Sequence, residues 1–233
     1  MTTSEIGSVV EGYPGEREAI EKAQGDVLSR VRFGLGALHR LLKDPNDTKQ
    51  VFVAGIALNA GAFPKLLAKI VADDAGFELA AEAPTIDSRS VDYDKLRALP
   101  ETTLGGAYVR YLDRNQLDPD LFKPPPGLSK VPQWVVTRIR QTHDVWHALT
   151  GYGPDVEGEV ALQAFSYAQL RVPSALLIAL VGTVVKVPRA APKVWRAYVR
   201  GKKAAFLPVV RFEDHWERPL ADVQTELGID AAA

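Results

Sequence analysis

The chain contains no cysteine and only one methionine. Without thiols there are no disulfides, iron–sulfur clusters, thiolate zinc sites or cysteine nucleophiles. Any metal must be held by His, Asp and Glu, and histidine is itself scarce, with four residues in 233. A net charge of one sign is also missing. The formal total of −1 argues against a dedicated polyanion binder, and no nucleic-acid partner is expected. Locally that balance fails, because no acidic residue occurs between Glu159 and Glu213 while Lys and Arg recur throughout. A long hydrophobic run is absent as well. Residues 174–185 are almost purely apolar, but a span needs roughly twenty such residues. Residues 1–20 carry four glutamates, one arginine (Arg17) and no long apolar core. That is neither a secretory signal nor a transit-peptide pattern, so an intracellular, bacterial, non-secreted protein is expected. Its expected place is the cytoplasm, with peripheral contact at the inner face of the membrane.

What is present reads as helix. Hydrophobic residues make up 46% of the chain, enough for a substantial core. No stretch has the character of a strand, and no internal repeat is visible. The expected fold is all-α, one multi-helix domain over 1–233 with a loose polar tail over 1–15. Ile20, Val27, Val31, Leu35, Leu38 and Leu42 recur at helical steps and predict a helix over 16–43. Asp44-Pro45-Asn46-Asp47-Thr48 is a stop followed by a fresh cap. Apolar helices are predicted over 49–61 and 64–73, with Pro64 in the first turn of the second. A turn-rich stretch over 82–103 holds a short helical piece near 92–98, and 104–113 is helical. Pro124-Pro125-Pro126-Gly127 makes a stiff connection inside the domain. Residues 213–229 read as a last amphipathic helix.

The chemistry concentrates in residues 141–159. His143 and His147 lie four apart, with Asp144 between them and Glu159 downstream. On a helix, i and i+4 fall roughly 40° apart, so both imidazoles point to one side. Asp144 is about 60° from His147 and leans to the same edge. Gly151, Gly153 and Pro154 cannot continue that helix. Asp155 suits the N-cap of a second helix, whose first turn carries Glu157 and Glu159. Two adjacent antiparallel helices then bring His143, Asp144, His147 and Glu159 toward one point, and Gly158 lets the second approach the first. Such donors suit zinc, iron, manganese or, with fewer nitrogens, magnesium. The bland alternative is a pair of core histidines, each satisfied by a hydrogen bond. A zincin-type protease is a rival, but its motif has Glu where this chain has the shorter Asp144.

Farther on, Arg189, Lys193, Arg196, Arg200 and Lys203 step by four, three, four and three, giving a helix one basic face. Next to the apolar 174–185 segment, that face could contact anionic lipid or hold an acidic ligand head at the mouth of an apolar tunnel. It could also be merely solvated. Arg189, Lys193, Arg196 and Arg200 are the candidate ligand or lipid contacts.

Residues 96–170 resemble the coenzyme Q (ubiquinone) biosynthesis protein 4 family. The matching pieces are Leu99-Pro100, Thr103-Leu104-Gly105 with Tyr108, Asp118-Pro119-Asp120, Gly151, Gly158 and the string His143-Asp144-x-x-His147 followed by Glu159. Trp216-Glu217 and Glu226-Leu227-Gly228-Ile229 look similar too. The resemblance implies an all-helical bacterial homologue whose His143, Asp144, His147 and Glu159 hold a divalent metal, with zinc first and iron or magnesium as alternatives. It implies action on a polyprenylated benzoate, removing the ring carboxylate at carbon one with hydroxylation there. The alternative it implies is a non-catalytic, isoprenoid-binding scaffold with a structural metal, organising other quinone-biosynthesis proteins at the membrane. A homodimer is the expected assembly from base rates for such a protein. One departure is Arg171, in Gln169-Leu170-Arg171-Val172-Pro173, where the family has a small residue.

Overall fold

The computed structural model describes residues 12–44 and 49–229, leaving aside the side chain of Leu42. The expected tail over 1–11 and the stop and cap at 45–48 lie outside the described residues. Among the described residues there are twelve α-helices, four short 3-10 turns and no strand, so the all-α expectation holds. The helices are α1 (Glu16–Ala23), α2 (Val27–Lys43), α3 (Lys49–Asn59), α4 (Phe63–Val71), α5 (Asp74–Glu82) and α6 (Tyr93–Ala98). They continue with α7 (Leu104–Asn115), α8 (Lys130–Thr150), α9 (Val156–Leu170), α10 (Pro173–Val185), α11 (Ala191–Lys203) and α12 (Leu220–Glu226).

Local side-chain chemistry sets many of these boundaries. The Asp92, Thr103 and Asp155 side chains each accept from a backbone N–H three residues on, satisfying donors that the helix start leaves orphaned. The same device corrects the single helix expected over 16–43. Asp26 accepts from the Ser29 N–H at 2.9 Å and starts α2 afresh after a break at 24–26. It also produces α5, which the sequence did not suggest, through Asp73 and the Gly76 N–H at 3.2 Å. Pro173 opens α10 rather than only closing α9, because its fixed φ suits a first helical turn.

Two further expectations are corrected. Residues 12–15 are not a loose tail. Tyr13 is buried, stacks on Phe52 with ring centroids 4.6 Å apart and donates its hydroxyl to the Leu121 carbonyl. Residues 213–229 do not form one helix. The 3-10 turn Phe212–His215 gives way to α12, and Pro219 disfavours helix at Arg218. The intervening chain pairs with the start of α7, where the Leu104 N–H donates to the Arg218 carbonyl at 3.0 Å and the Gly105 N–H to the Trp216 carbonyl at 2.8 Å.

The main core gathers around α7, α8 and α9. Trp146, Tyr108, Leu149, Leu162 and Phe165 are almost wholly buried within it. Burying each large aliphatic or Phe side chain contributes about 1.5–3 kcal/mol as an upper estimate. A smaller cluster of Ala19, Ala37, Leu38, Val53 and Ala54 lies between α1, α2 and α3, and Leu177 and Ile178 of α10 pack against it. Helix α11 crosses α9 closely at Gly201. A Cβ there would sit 2.6 Å from the Phe165 carbonyl oxygen.

Candidate metal centre

His143, Asp144 and His147 lie in the second half of α8, and Glu159 in the first turn of α9. His143 Nε2 faces His147 Nε2 at 3.2 Å, with the rings nearly perpendicular. One Glu159 oxygen lies 3.1 Å from His147 Nε2 and the other 3.6 Å from His143 Nε2. Donor atoms of His143, Asp144 and His147 lie within 4.8 Å of one another. The Asp144 carboxylate, though buried, forms no ion pair with either imidazole among the described residues. The two histidines thus share two groupings, one with Glu159 at 3.1 and 3.6 Å and one with Asp144 within 4.8 Å.

The orientation of His147 comes from the loop after α8. Gly151, at φ 74°, ends the helix in the left-handed region, which favours glycine. The chain then turns so that the Tyr152 carbonyl accepts a hydrogen bond from His147 Nδ1 at 2.9 Å. That bond selects the tautomer whose Nε2 lone pair faces Glu159 and His143. Tyr111 of α7 stacks on the same imidazole with centroids 4.9 Å apart. Arg200 of α11 donates to the Thr150 carbonyl at 3.1 Å and lies over the Tyr152 ring. Lys193 pairs with Glu157 at 2.8 Å.

Gly158 serves this loop in an unexpected way. A Cβ on it would sit 2.1 Å from the Gly153 carbonyl oxygen, so its nearest steric limit is the connecting loop and not α8.

Electrostatics follow from this crowding. Burial works to raise the Glu159 carboxyl, but hydrogen bonds from both imidazoles override it and hold the pKa at about 2. Burial opposes charging His143, yet the bond and charge of Glu159 raise it above the ordinary histidine value. Asp144 is raised, mainly by burial, against the pull of both imidazoles. Burial, and then the charges of Asp144, Glu159 and Asp155, push the Tyr111 phenol far up.

The residues fit a divalent ion. Four donors at zinc-like lengths would stand ~3.3 Å from one another along a tetrahedron's edges. The measured separations of 3.1, 3.2 and 3.6 Å bracket that value. With Nδ1 donating to a carbonyl, a neutral His147 has only a lone pair to offer the cluster, facing a second imidazole and a carboxylate, and it donates to Glu159 only as the imidazolium. A cation relieves that arrangement.

The basic set predicted on one face divides. Lys193 pairs with Glu157 in the first turn of α9 and Arg200 holds the Thr150 carbonyl at the end of α8, whereas Arg189 and Arg196 are exposed. Nearby, Leu180, Val184 and Val185 of α10 and Trp195 of α11 are exposed apolar side chains. Among the described residues no single helix is long and apolar enough to cross a membrane. The structural roles of Tyr111, Tyr152 and Arg200 were not visible in sequence. Each depends on a contact between segments distant in sequence or on the fold of the loop after α8, which no spacing within one helix signals.

Sequence comparison agrees with this architecture. The family model described as Coenzyme Q (ubiquinone) biosynthesis protein Coq4 matches residues 21–233. A Laccaria bicolor protein named ubiquinone biosynthesis protein COQ4, mitochondrial, is 31% identical over 205 residues, covering 84% of this chain and 68% of its own. A Bos taurus homologue of the same designation is 31% identical over 212 residues, covering 87% of this chain and 79% of its own. The crystal structure of a Nostoc punctiforme protein ascribed to ubiquinone biosynthesis superposes with a TM-score of 0.69. It covers 86% of this chain and 98% of its own at 22% identity, a likeness of fold.

Proposed function

The chain belongs to the coenzyme Q (ubiquinone) biosynthesis protein Coq4 family, and from that premise we propose that it is a metal-dependent enzyme acting on a polyprenylated benzoate. The observation that carries the reading is the convergence of two imidazole Nε2 atoms and the Glu159 carboxylate within 3.1 to 3.6 Å. His143, His147 and Glu159 would hold the ion, with Asp144 as the fourth group. The order of preference for occupancy is zinc, then iron or magnesium, and of these only iron could use dioxygen, whereas zinc could not. A bound ion supplies an electrophilic centre for an oxygen ligand and, if redox-active, a means of using dioxygen.

In net terms, carbon dioxide leaves ring carbon one and a hydroxyl takes its place. One oxygen atom of dioxygen enters the ring. A two-electron donor and two protons reduce the other to water. The chain's own residues orient and enclose. The Tyr152 carbonyl fixes His147, Tyr111 covers one face of its ring, and Arg200 holds the loop. The raised pKa of the Tyr111 phenol keeps it protonated beside the carboxylates. The apolar α10 would lie along the prenyl tail, and exposed Arg189 and Arg196 would meet acidic groups of ligand or membrane.

The test supplies purified protein, defined metals, dioxygen, a reductant and a prenylated 4-hydroxybenzoate derivative. Decarboxylated, hydroxylated product with one metal, lost in His143→Ala, is the expected result. Intact substrate under every condition would overturn the enzyme reading.

A second reading is favoured by the exposed apolar residues Leu180, Val184, Val185 and Trp195 beside Arg189 and Arg196. It is a scaffold with a structural metal, binding an isoprenoid and other quinone-biosynthesis proteins at the cytoplasmic face of the membrane, as a homodimer. It would show copurifying isoprenoid and no turnover. His147→Ala would then lower thermal stability as much as function.

A further inference from the structure

The opposite end of α9 holds a feature that the metal site does not use. A cavity of about 420 Å³ lies between α4, the end of α9 and α11. Its lining includes Lys65 and Lys69 from α4, Arg171 just past α9 and Lys202 from α11, and no acidic residue. Among the described residues none of these four cations forms an ion pair with a carboxylate. Glu159 and Arg171 stand roughly 18 Å apart along the helix axis, so the two sites do not overlap.

Two of the four cations, Lys69 and Arg171, are positioned rather than merely present. Lys69 Nζ sits 3.4 Å from the centroid of the Phe206 ring. Arg171 adopts φ 57°, a left-handed conformation in which glycine is the low-cost residue. Its guanidinium is held by the Tyr198 hydroxyl at 3.2 Å and lies near the Tyr167 and Tyr198 rings. The floor is rigid. Buried Gln169 donates to the Gly201 carbonyl at 2.6 Å and accepts from the Leu207 N–H at 2.9 Å. Burial first, and then the charge of Arg171, lower the Lys69 pKa, as expected where cations crowd without a counter-charge.

Four like charges in one concavity focus a positive potential, and an anion bridging them removes the repulsion. Cations from separate elements suit an anion with several charged oxygens, and the Arg fork and Lys point charges are the usual partners of phosphate. The volume is in the range of small-molecule sites. Ala62, Leu66, Leu170 and Phe206 offer apolar surface to an organic substituent. We propose that this cavity binds a phosphate-bearing anion, free or as the head group of a lipid, independently of the metal.

The test titrates inorganic pyrophosphate into the full chain by calorimetry, at low and at physiological salt. Saturable binding that weakens with salt is expected. The double reversal Lys65→Glu/Lys202→Glu, on exposed residues, should weaken it about tenfold or more. Arg171→Gly should weaken it several-fold without lowering Tm, because the left-handed position is then relaxed. Lys22→Glu/Lys130→Glu, on exposed basic positions elsewhere, should leave it unchanged. A parallel arm measures retention on phosphatidylglycerol vesicles against phosphatidylcholine vesicles. Retention on the anionic vesicles alone, abolished by Lys65→Glu/Lys202→Glu and without pyrophosphate binding, assigns the same chemistry to a lipid head group. Failure of the wild type to bind either probe, or binding that Lys65→Glu/Lys202→Glu leaves unchanged, overturns the proposal.

Discussion

The two ends of α9 carry opposite chemistry. The first turn presents Glu157 and Glu159, and Glu159 meets two imidazoles. Just past the last turn, Arg171 joins Lys65, Lys69 and Lys202 around a cavity with no acid in its lining. Both ends obey the helix dipole, which favours anions at the N-terminus and cations at the C-terminus by about 0.3–1 kcal/mol each. That preference is too small to build a site, so the difference lies in the partners. At the first end, donors face one another at 3.1 to 3.6 Å and are oriented by loop and ring contacts. At the second, the cations face no carboxylate. The donors at the first end therefore suit a cation, and the cations at the second suit an anion.

The largest effect should come from emptying the first end. His147→Ala removes the imidazole that is tied to Tyr152 and stacked on Tyr111. Metal content measured by elemental analysis should fall to below about a tenth of wild type, since one ligand is gone and its positioning contacts go with it. Arg171→Gly, at the other end, should leave metal content unchanged. Equal metal in His147→Ala would remove the basis of the comparison.

Two glycines permit a sharper version. Gly158→Ala forces a Cβ to within 2.1 Å of the Gly153 carbonyl oxygen, and Gly201→Ala to within 2.6 Å of the Phe165 carbonyl oxygen. Both obstacles are backbone and cannot swing aside. Each change should destabilise by ~1–3 kcal/mol, read as a lower Tm in thermal unfolding. Only Gly158→Ala should also lower metal affinity, because Gly153 belongs to the loop that orients His147. If both variants lose metal equally, the two ends are not separable in this way.

A smaller effect is expected from Arg200→Ala. Arg200 donates to the Thr150 carbonyl and lies over the Tyr152 ring. Loss of such outer support typically weakens metal binding about 10–100-fold, and the low end is expected here because the Tyr152 carbonyl itself remains. A competition titration with a chelator would measure it. An unchanged affinity would show that the loop holds its position without α11.

What could be read from the sequence follows from how local each determinant is. The histidine spacing and the Asp155 cap are local, so His143, His147 and Glu159 could be named together and are found together. The Asp26 and Asp73 caps are equally local but lie in segments whose apolar pattern runs straight through them, which hid the α1–α2 break and the start of α5. Tyr111, Arg200 and the cation cavity depend on side chains from different helices meeting, and no spacing within one helix encodes that. Residues 213–229 kept an apolar rhythm suited to a helix, but Pro219 and the pairing with the start of α7 overrode it. The basic residues share a helical period but not their contacts, because Glu157 pairs with Lys193 and the Thr150 carbonyl accepts from Arg200.

The smallest effect concerns the protonation of the metal-free first end. Glu159 is held at about 2 in the folded protein against an ordinary value of 4.5, so its contribution is present above about 4.5 and lost as pH falls toward 2. His143 is raised above 6.5, so its contribution is complete below that value and is lost as pH rises through the folded pKa. Wild type should therefore exceed Glu159→Gln in Tm most clearly between about pH 4.5 and 6.5, with the gap closing on both sides. The Glu159 side chain is 39% exposed, so solvent screening keeps the gap small. Thermal unfolding of both chelator-treated proteins across that range measures it. A pH-independent gap would mean that Glu159 acts by packing and not by charge, and the contrast between the two ends would then rest on metal binding alone.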